Sequence, residues 1–173
     1  MALPLSGIRV LDLTNVLAGP YCSMVLGDMG AEVIKIENAN KGDSSRSFEP
    51  QVNGESYCFA VLNRNKQSVA LNLKDPAGLK IALDLASKAD IILENFRPGV
   101  VKRMGLGYET VKSVNPSVIY ASLSGFGQTG PYGKKGGFDD PRHLWPESYA
   151  SLPDKGEGFY ETPGGRTMFQ QQL

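Results

Sequence analysis

Near-continuous apolar runs, rather than alternating ones, restrict the fold of this chain more than any other feature. Asp90-Ile91-Ile92-Leu93-Glu94-Asn95 is fully apolar at its centre, and Ile8-Arg9-Val10-Leu11-Asp12-Leu13 and Val118-Ile119-Tyr120-Ala121 come close to it. Such strands must be covered on both faces, which is how parallel strands are buried in α/β proteins. Glu32-Val33-Ile34-Lys35-Ile36-Glu37 and Lys66-Gln67-Ser68-Val69-Ala70-Leu71-Asn72-Leu73 alternate more and complete a set of five predicted strands.

Helical segments separate them. Pro20 suits the first turn of a helix running toward Gly30, whose missing Cβ suits the left-handed position just past a helix end. Strand, helix and strand in so few residues form a βαβ unit with a right-handed crossover. Asp75-Pro76 caps and opens a second helix with an apolar stripe of Leu79, Ile81, Ala82, Leu85 and Ala86 and with Lys88 in its last turn. A short helix is expected from Pro98 to Met104, closed by Gly105, and another from Tyr108 to Asn115-Pro116. Asn38 to Tyr57 is polar and turn-rich and reads as a loop or lid. The pattern is that of a doubly wound α/β fold.

After Val118–Leu123 the chain carries six glycines between Gly125 and Gly137. Gly125-x-Gly127-x-x-Gly130 has the spacing of the dinucleotide fingerprint, but that motif needs a helix opening at its third glycine. Pro131-Tyr132-Gly133 prolongs a loop instead. A flap built on Gly125, Gly127 and Gly130, closing over a site at the strand ends, is the expectation.

The 173 residues suffice for one domain with a core, and 18 Lys and Arg balance 18 Asp and Glu. Zero net charge argues against nucleic-acid and membrane-surface binding, both of which call for a basic excess. No run approaches the length of a membrane span, and the N-terminus lacks a charged targeting segment, so an intracellular protein, cytoplasmic or mitochondrial, is expected. Cys22 and Cys58 read as partly buried free thiols, a single disulfide being the alternative. Neither they nor the lone His143 have metal-ligand spacing, so no metal is expected. Ligands of open parallel sheets bind at the carboxyl ends of the strands, where Lys74, Arg97, Lys102 and Arg103 suit a phosphate-bearing ligand. Solvated surface charge is the alternative for each of them.

Residues 140–173 differ in character, with four prolines (Pro141, Pro146, Pro153, Pro163), four glycines (Gly156, Gly158, Gly164, Gly165) and neither strand nor helix periodicity. The expected division is a domain over 1–139 and a divergent, irregular tail over 140–173.

The motifs in order resemble the start of the family III CoA-transferases. They are Gly7-Ile8-Arg9-Val10-Leu11-Asp12-Leu13-Thr14, Ala18-Gly19-Pro20, Leu26 to Glu37, Gly42-Asp43, Asn63-Arg64-Asn65-Lys66-Gln67-Ser68, Leu71-x-Leu73-Lys74, Glu94-Asn95-Phe96-Arg97-Pro98-Gly99, Arg103-Met104-Gly105 and Gly125 to Pro131. The wording is of the formyl-CoA transferase and succinyl-CoA–glutarate type. The resemblance implies a Rossmann-like domain, an acyl-CoA and a free carboxylic or dicarboxylic acid as substrates, and no permanently bound cofactor. It also implies a dimer of interlocked rings, an assembly not expected of a chain lacking the family's later segments. The implied mechanism is attack of an aspartate carboxylate on the thioester, giving a mixed anhydride and then an enzyme–CoA thioester.

Carried over by motif, the CoA contacts are Leu17 and Ala18, then Leu71, Asn72, Leu73 and Lys74 at the adenosine. Asn95, Phe96, Arg97 and Arg103 surround the nucleotide, and Gly136, Gly137, Phe138 and Asp139 border the pantetheine channel. At Asn38 the chain departs from formyl-type members, which carry a basic residue there. The family's catalytic aspartate follows Asp139 at a distance where this chain offers Arg166-Thr167-Met168-Phe169, so no catalytic residue is assigned and the chain is expected to be inactive alone. Two alternatives are a CoA-binding or regulatory fragment and an acyl-CoA racemase of the same scaffold. Racemases place a proton-transferring His where this chain has Phe138.

Overall fold

The computed structural model describes residues 2–133 and the backbone of residues 160–162 and 165–167. The chain divides into two compact units, Met1–Gly136 and Gly137–Leu173.

In the first unit, β1 (Arg9–Asp12), α1 (Ala18–Asp28) and β2 (Glu32–Asn38) form the expected βαβ unit. Gly30 takes φ +101 just beyond α1, as the sequence predicts for its end. The stretch expected as plain loop is more ordered than its polarity suggests. It holds a 3-10 turn at Ser44–Ser47 and a two-residue hairpin of β3 (Gln51–Val52) and β4 (Glu55–Ser56), and α2 (Tyr57–Leu62) begins at the stretch's last residue. Helix α2 has the signal Ser56 at its N-cap, whose hydroxyl accepts from the Phe59 amide. The order continues with β5 (Lys66–Leu71), α3 (Pro76–Ala86), β6 (Ile91–Glu94), α4 (Val100–Arg103), α5 (Tyr108–Val114) and β7 (Ile119–Ser122). Asp75 caps α3 by accepting from the Ala77 amide, while Lys88 falls just outside the helix. In the second unit β8 (Tyr160–Thr162) and β9 (Gly165–Thr167) pair antiparallel, a regular element where the sequence shows no period.

All five long strands are parallel, in the order β5-β2-β1-β6-β7, a doubly wound α/β sheet. One face packs Leu11, Leu13, Ile36 and Ile92 against Ala82 and Ala86 of α3, Val101 of α4 and Val111 of α5. The other packs Val10, Val33 and Leu93 against Cys22 and Leu26 of α1. Asn115 fastens the first layer, its amide donating to the Ala86 and Ala89 carbonyls at 2.9 and 2.7 Å. The apolar character of the α1 face ends after Val10 of β1 and Val33 of β2. There the alternation that put Val10 and Val33 inside puts Asp12, Lys35 and Glu37 inside as well, at the carboxyl ends where a ligand would approach.

Candidate functional site

Burying ionic side chains under a sheet edge requires that each find a partner, because an unpaired buried charge is costly. Asp12, Glu37 and Asp43 are matched by Lys35, Lys66 and Arg46, three acids against three bases. Lys66 Nζ reaches Asp12 Oδ2 at 3.2 Å and donates also to the Pro20 carbonyl and Asn63 Oδ1, both at 2.9 Å. Burial pushes its ammonium pKa down; the Asp12 charge works against that. Asp12 Oδ2 accepts from the Ser23 hydroxyl of α1 at 2.6 Å, which fixes the helix against β1. Lys35 Nζ lies 2.9 Å from Asp43 Oδ2, and both side chains are essentially without exposure. Burial pushes the Asp43 carboxyl up, but the Lys35 charge and hydrogen bonds from Lys35 and Ser45 hold it below its ordinary range. Arg46 forks onto Glu37 at 2.7 Å with both nitrogens and lies 3.8 Å over the Phe59 ring.

The network acts on one short turn. Between β1 and α1, the Thr14 amide and hydroxyl donate to Asp12 Oδ1 at 2.8 and 2.5 Å. The Thr14 carbonyl accepts from Lys35 at 2.6 Å. Asn95, just past β6, clamps the next residue on both sides: its Oδ1 accepts from the Asn15 amide at 2.8 Å and its amide donates to the Asn15 carbonyl at 2.7 Å. The Val16 amide donates to Asp43 Oδ1 at 3.1 Å. Val16 has φ +72, a left-handed conformation that a β-branched residue occupies only at a cost of ~1–3 kcal/mol. Gly19 lets α1 begin hard against this turn, since a Cβ there would lie 2.3 Å from Thr14 Cβ.

Leu17 and Ala18 follow the turn and are exposed, Leu17 as the N-cap of α1 with no side-chain cap. The Asn15–Asn95 clamp ties them to the neighbouring strand end, which carries half-buried Phe96 and exposed Arg97. Glu94 is buried below and accepts from the Phe96 amide at 2.9 Å. Leu71, Asn72, Leu73 and Lys74 lie at the carboxyl end of β5, two strands away from β1. Leu71 is buried, Leu73 is half-buried, and Asn72 and Lys74 are exposed. Arg103 is exposed in the last turn of α4. Asn38 Oδ1 accepts from the Asn40 and Lys41 amides at 2.9 and 3.1 Å, so this departure from a basic residue shapes the turn after β2. Gly136, Gly137, Phe138 and Asp139 lie outside the described residues.

The glycine loop makes turns and no helix opens at Gly130, so its spacing is not a dinucleotide fingerprint. Gly127 and Gly130 have φ +77 and +87 with open space around them, Gly125 is exposed, and Phe126 and Tyr132 meet at 5.8 Å between ring centroids. Cys22 and Cys58 are free thiols, and burial and then Asp43 push the Cys58 thiol up. Among the described residues no three His, Cys, Asp or Glu side chains converge as a metal site. Among them, too, no helix is long and apolar enough to cross a membrane.

The residues Asn63-Arg64-Asn65-Lys66 turn out to be structural. Arg64 and Asn65 bind the Asp28 carboxylate at the end of α1, Asn63 caps α2 through the Phe59 carbonyl, and Lys66 reaches Asp12. The Arg64 hydrogen bond leads in holding the Asp28 carboxyl below its usual range. Sequence reasoning missed the parts played by Lys35, Asp43 and Val16. The signal available was a charge at successive inward positions of β2, Lys35 and Glu37, in an otherwise apolar run.

The family model for CoA-transferase family III matches residues 5–142. Succinyl-CoA:glutarate CoA-transferase of Mus musculus is 52% identical over 137 residues, 79% of this chain and 31% of that protein. The Homo sapiens protein of the same name is 50% identical over the same shares. A CAIB/BAIF family protein from Brucella suis matches with TM-score 0.76 and 38% identity, over 80% of this chain and 38% of that one. Rv3272 from M. tuberculosis, in an orthorhombic form, matches with TM-score 0.79 and 37% identity, over 98% and 46% of the two chains. The chain spans about a third of the length of the curated relatives it matches. It belongs to CoA-transferase family III.

Proposed function

We propose that residues 2–133 form the acyl-CoA-binding half of a CoA-transferase that moves CoA from an acyl-CoA, such as succinyl-CoA, to a free carboxylic or dicarboxylic acid. The observation that carries this reading is the Asn15–Asn95 clamp, which holds Leu17 and Ala18 beside Phe96 and Arg97 at adjacent strand ends. The N-terminus of α1, left without a side-chain cap, and the exposed cations Lys74, Arg97 and Arg103 suit the phosphates of CoA. Leu71 and Leu73 offer the apolar side of an adenosine site, with Asn72 supplying polar contacts. The loop carrying Gly125, Gly127 and Gly130 closes over the thioester and excludes water. Gly136, Gly137, Phe138 and Asp139 are assigned to the channel leading there.

The chemistry is covalent catalysis by an aspartate carboxylate. Its oxygen attacks the thioester carbonyl, the C–S bond breaks, and CoA is expelled as thiolate, leaving a mixed anhydride of the donor acid and the aspartate. The thiolate then attacks the enzyme's own carbonyl and releases the donor acid. The acceptor carboxylate attacks the resulting enzyme thioester, and CoA passes to it through a second anhydride. Among the described residues the buried carboxylates of the site, Asp12, Glu37, Asp43 and Glu94, all accept hydrogen bonds from neighbours. We therefore assign the nucleophile to a segment outside them. That same observation favours the second reading, a CoA-binding module without catalysis of its own.

Thermal unfolding with and without saturating CoA tests the binding half, because a ligand that binds only the native state raises its stability. An upward shift is expected, and its absence in a cooperatively folded chain refutes the reading. A transfer assay from succinyl-CoA to glutarate is expected to be silent for this chain. Turnover would place the nucleophile within it.

A further inference from the structure

We infer that the buried Lys35–Asp43 pair is a positioning device that holds the β1–α1 turn in a strained, ligand-ready conformation. The inference rests on the CoA-binding reading and adds to it the residues that shape the contact surface from beneath. Thr14, Asn15 and Val16 are pinned by side chains alone. Lys35 takes the Thr14 carbonyl at 2.6 Å, Asn95 takes both backbone groups of Asn15, and Asp43 takes the Val16 amide at 3.1 Å. Asp43 is itself fixed by the Ser45 amide and hydroxyl at 2.9 and 2.7 Å, and its amide donates to Glu37 at 2.9 Å.

A β-branched residue at φ +72 returns to negative φ unless its surroundings hold it. The two ends of the buried pair grip the residues on either side of Asn15, and the direction in which Leu17 and Ala18 leave the turn follows from Val16. The pair touches no ligand surface, since neither side chain has measurable access to solvent beyond 1%. Its effect on binding therefore passes through the turn. When a binding-competent conformation is only fractionally populated, the apparent affinity falls by that fraction.

The test uses the full chain and calorimetric titration with CoA. The double variant Lys35→Met/Asp43→Ala removes both charges together, so that neither is left buried alone. It is expected to weaken CoA binding about tenfold. Adding Val16→Gly, which enters the left-handed region without a Cβ penalty, is expected to restore at least about threefold of that loss. A purely structural role would not produce this rescue, because a third substitution with more chain entropy only lowers stability further. A folded double variant that binds CoA within about twofold of the parent overturns the inference, as does a triple variant no tighter than the double. If the double variant lacks a cooperative transition, amide hydrogen exchange of Val16 in the parent decides: protection well beyond that of an open turn supports the grip, and free exchange refutes it. A parent chain that folds but does not bind CoA overturns the functional reading, and with it the ligand half of this inference. A parent that binds, with variants unaffected, overturns the inference alone.

Discussion

Replacing Glu37 by glutamine is the sharpest test of the buried ionic network. Glu37 accepts from the Asp43 amide at 2.9 Å, from two Arg46 nitrogens at 2.7 Å each and from the Ser68 hydroxyl at 2.5 Å. Burial pushes its carboxyl up, yet the Arg46 and Ser68 hydrogen bonds prevail and hold it at about 2 against an ordinary 4.5. That displacement corresponds to ~3 kcal/mol in favour of the charged form. Arg46 is 45% exposed, so solvent screening reduces the figure to ~2 kcal/mol. Because the folded state depresses the pKa, this stability is fully present above the unfolded value of 4.5 and is lost as pH falls toward about 2. Urea unfolding of Glu37→Gln at neutral pH is expected to show ~2 kcal/mol less stability than the parent at unchanged m-value. The difference should shrink as pH falls through that window, since the parent then loses the same charge. A difference under ~0.5 kcal/mol at neutral pH, or one that stays constant on acidification, refutes the reasoning.

Three further outcomes follow from the site. Asn95→Ala removes both hydrogen bonds of the clamp, costs ~2 kcal/mol in chemical denaturation and weakens CoA binding in calorimetry. Gly19→Ala forces a Cβ to within 2.3 Å of Thr14 and lowers the melting temperature by roughly as much as a severe core substitution, ~3 kcal/mol at the midpoint. Arg97→Ala and Arg103→Ala, both exposed, leave the melting temperature within a few degrees of the parent; each weakens CoA binding and flattens its salt dependence in titrations at increasing ionic strength.

The sheet was legible because its signals are local. The apolar run Asp90–Asn95 announces a doubly covered strand, Asp75-Pro76 announces a helix start, and Gly30 announces a helix end. Helix α2 escaped because six residues are too few to display a 3.6-residue period, and only Ser56 marked it. Leu17, Ala18, Asn95 and Arg97, the contacts proposed for CoA, were named through motif order alone. Their support was not, because it consists of pairings between residues far apart in the chain, such as Lys66 with Asp12 and Asn95 with Asn15. A lysine in a strand reads as an edge or a solvent-facing position, and nothing local to Lys35 says that an aspartate after the next turn will neutralise it. The short antiparallel pairing of Tyr160–Thr162 with Gly165–Thr167 was equally invisible, three residues a side being below any periodic signal.

The clamp also sets an order on assembly. Asn15 and Asn95 are 80 residues apart, and β1 finds its second neighbour only when β6 has been made. The βαβ hairpin of β1, α1 and β2 closes within some thirty residues and can gather early, whereas the β1–β6 pairing closes a long loop and comes late. A nascent chain that has left the ribosome only as far as α3 therefore presents an unclamped β1–α1 turn. On the CoA-binding reading proposed above, nucleotide binding begins only once Asn95 has arrived, which would make it a reporter of the β1–β6 pairing rather than of helix content.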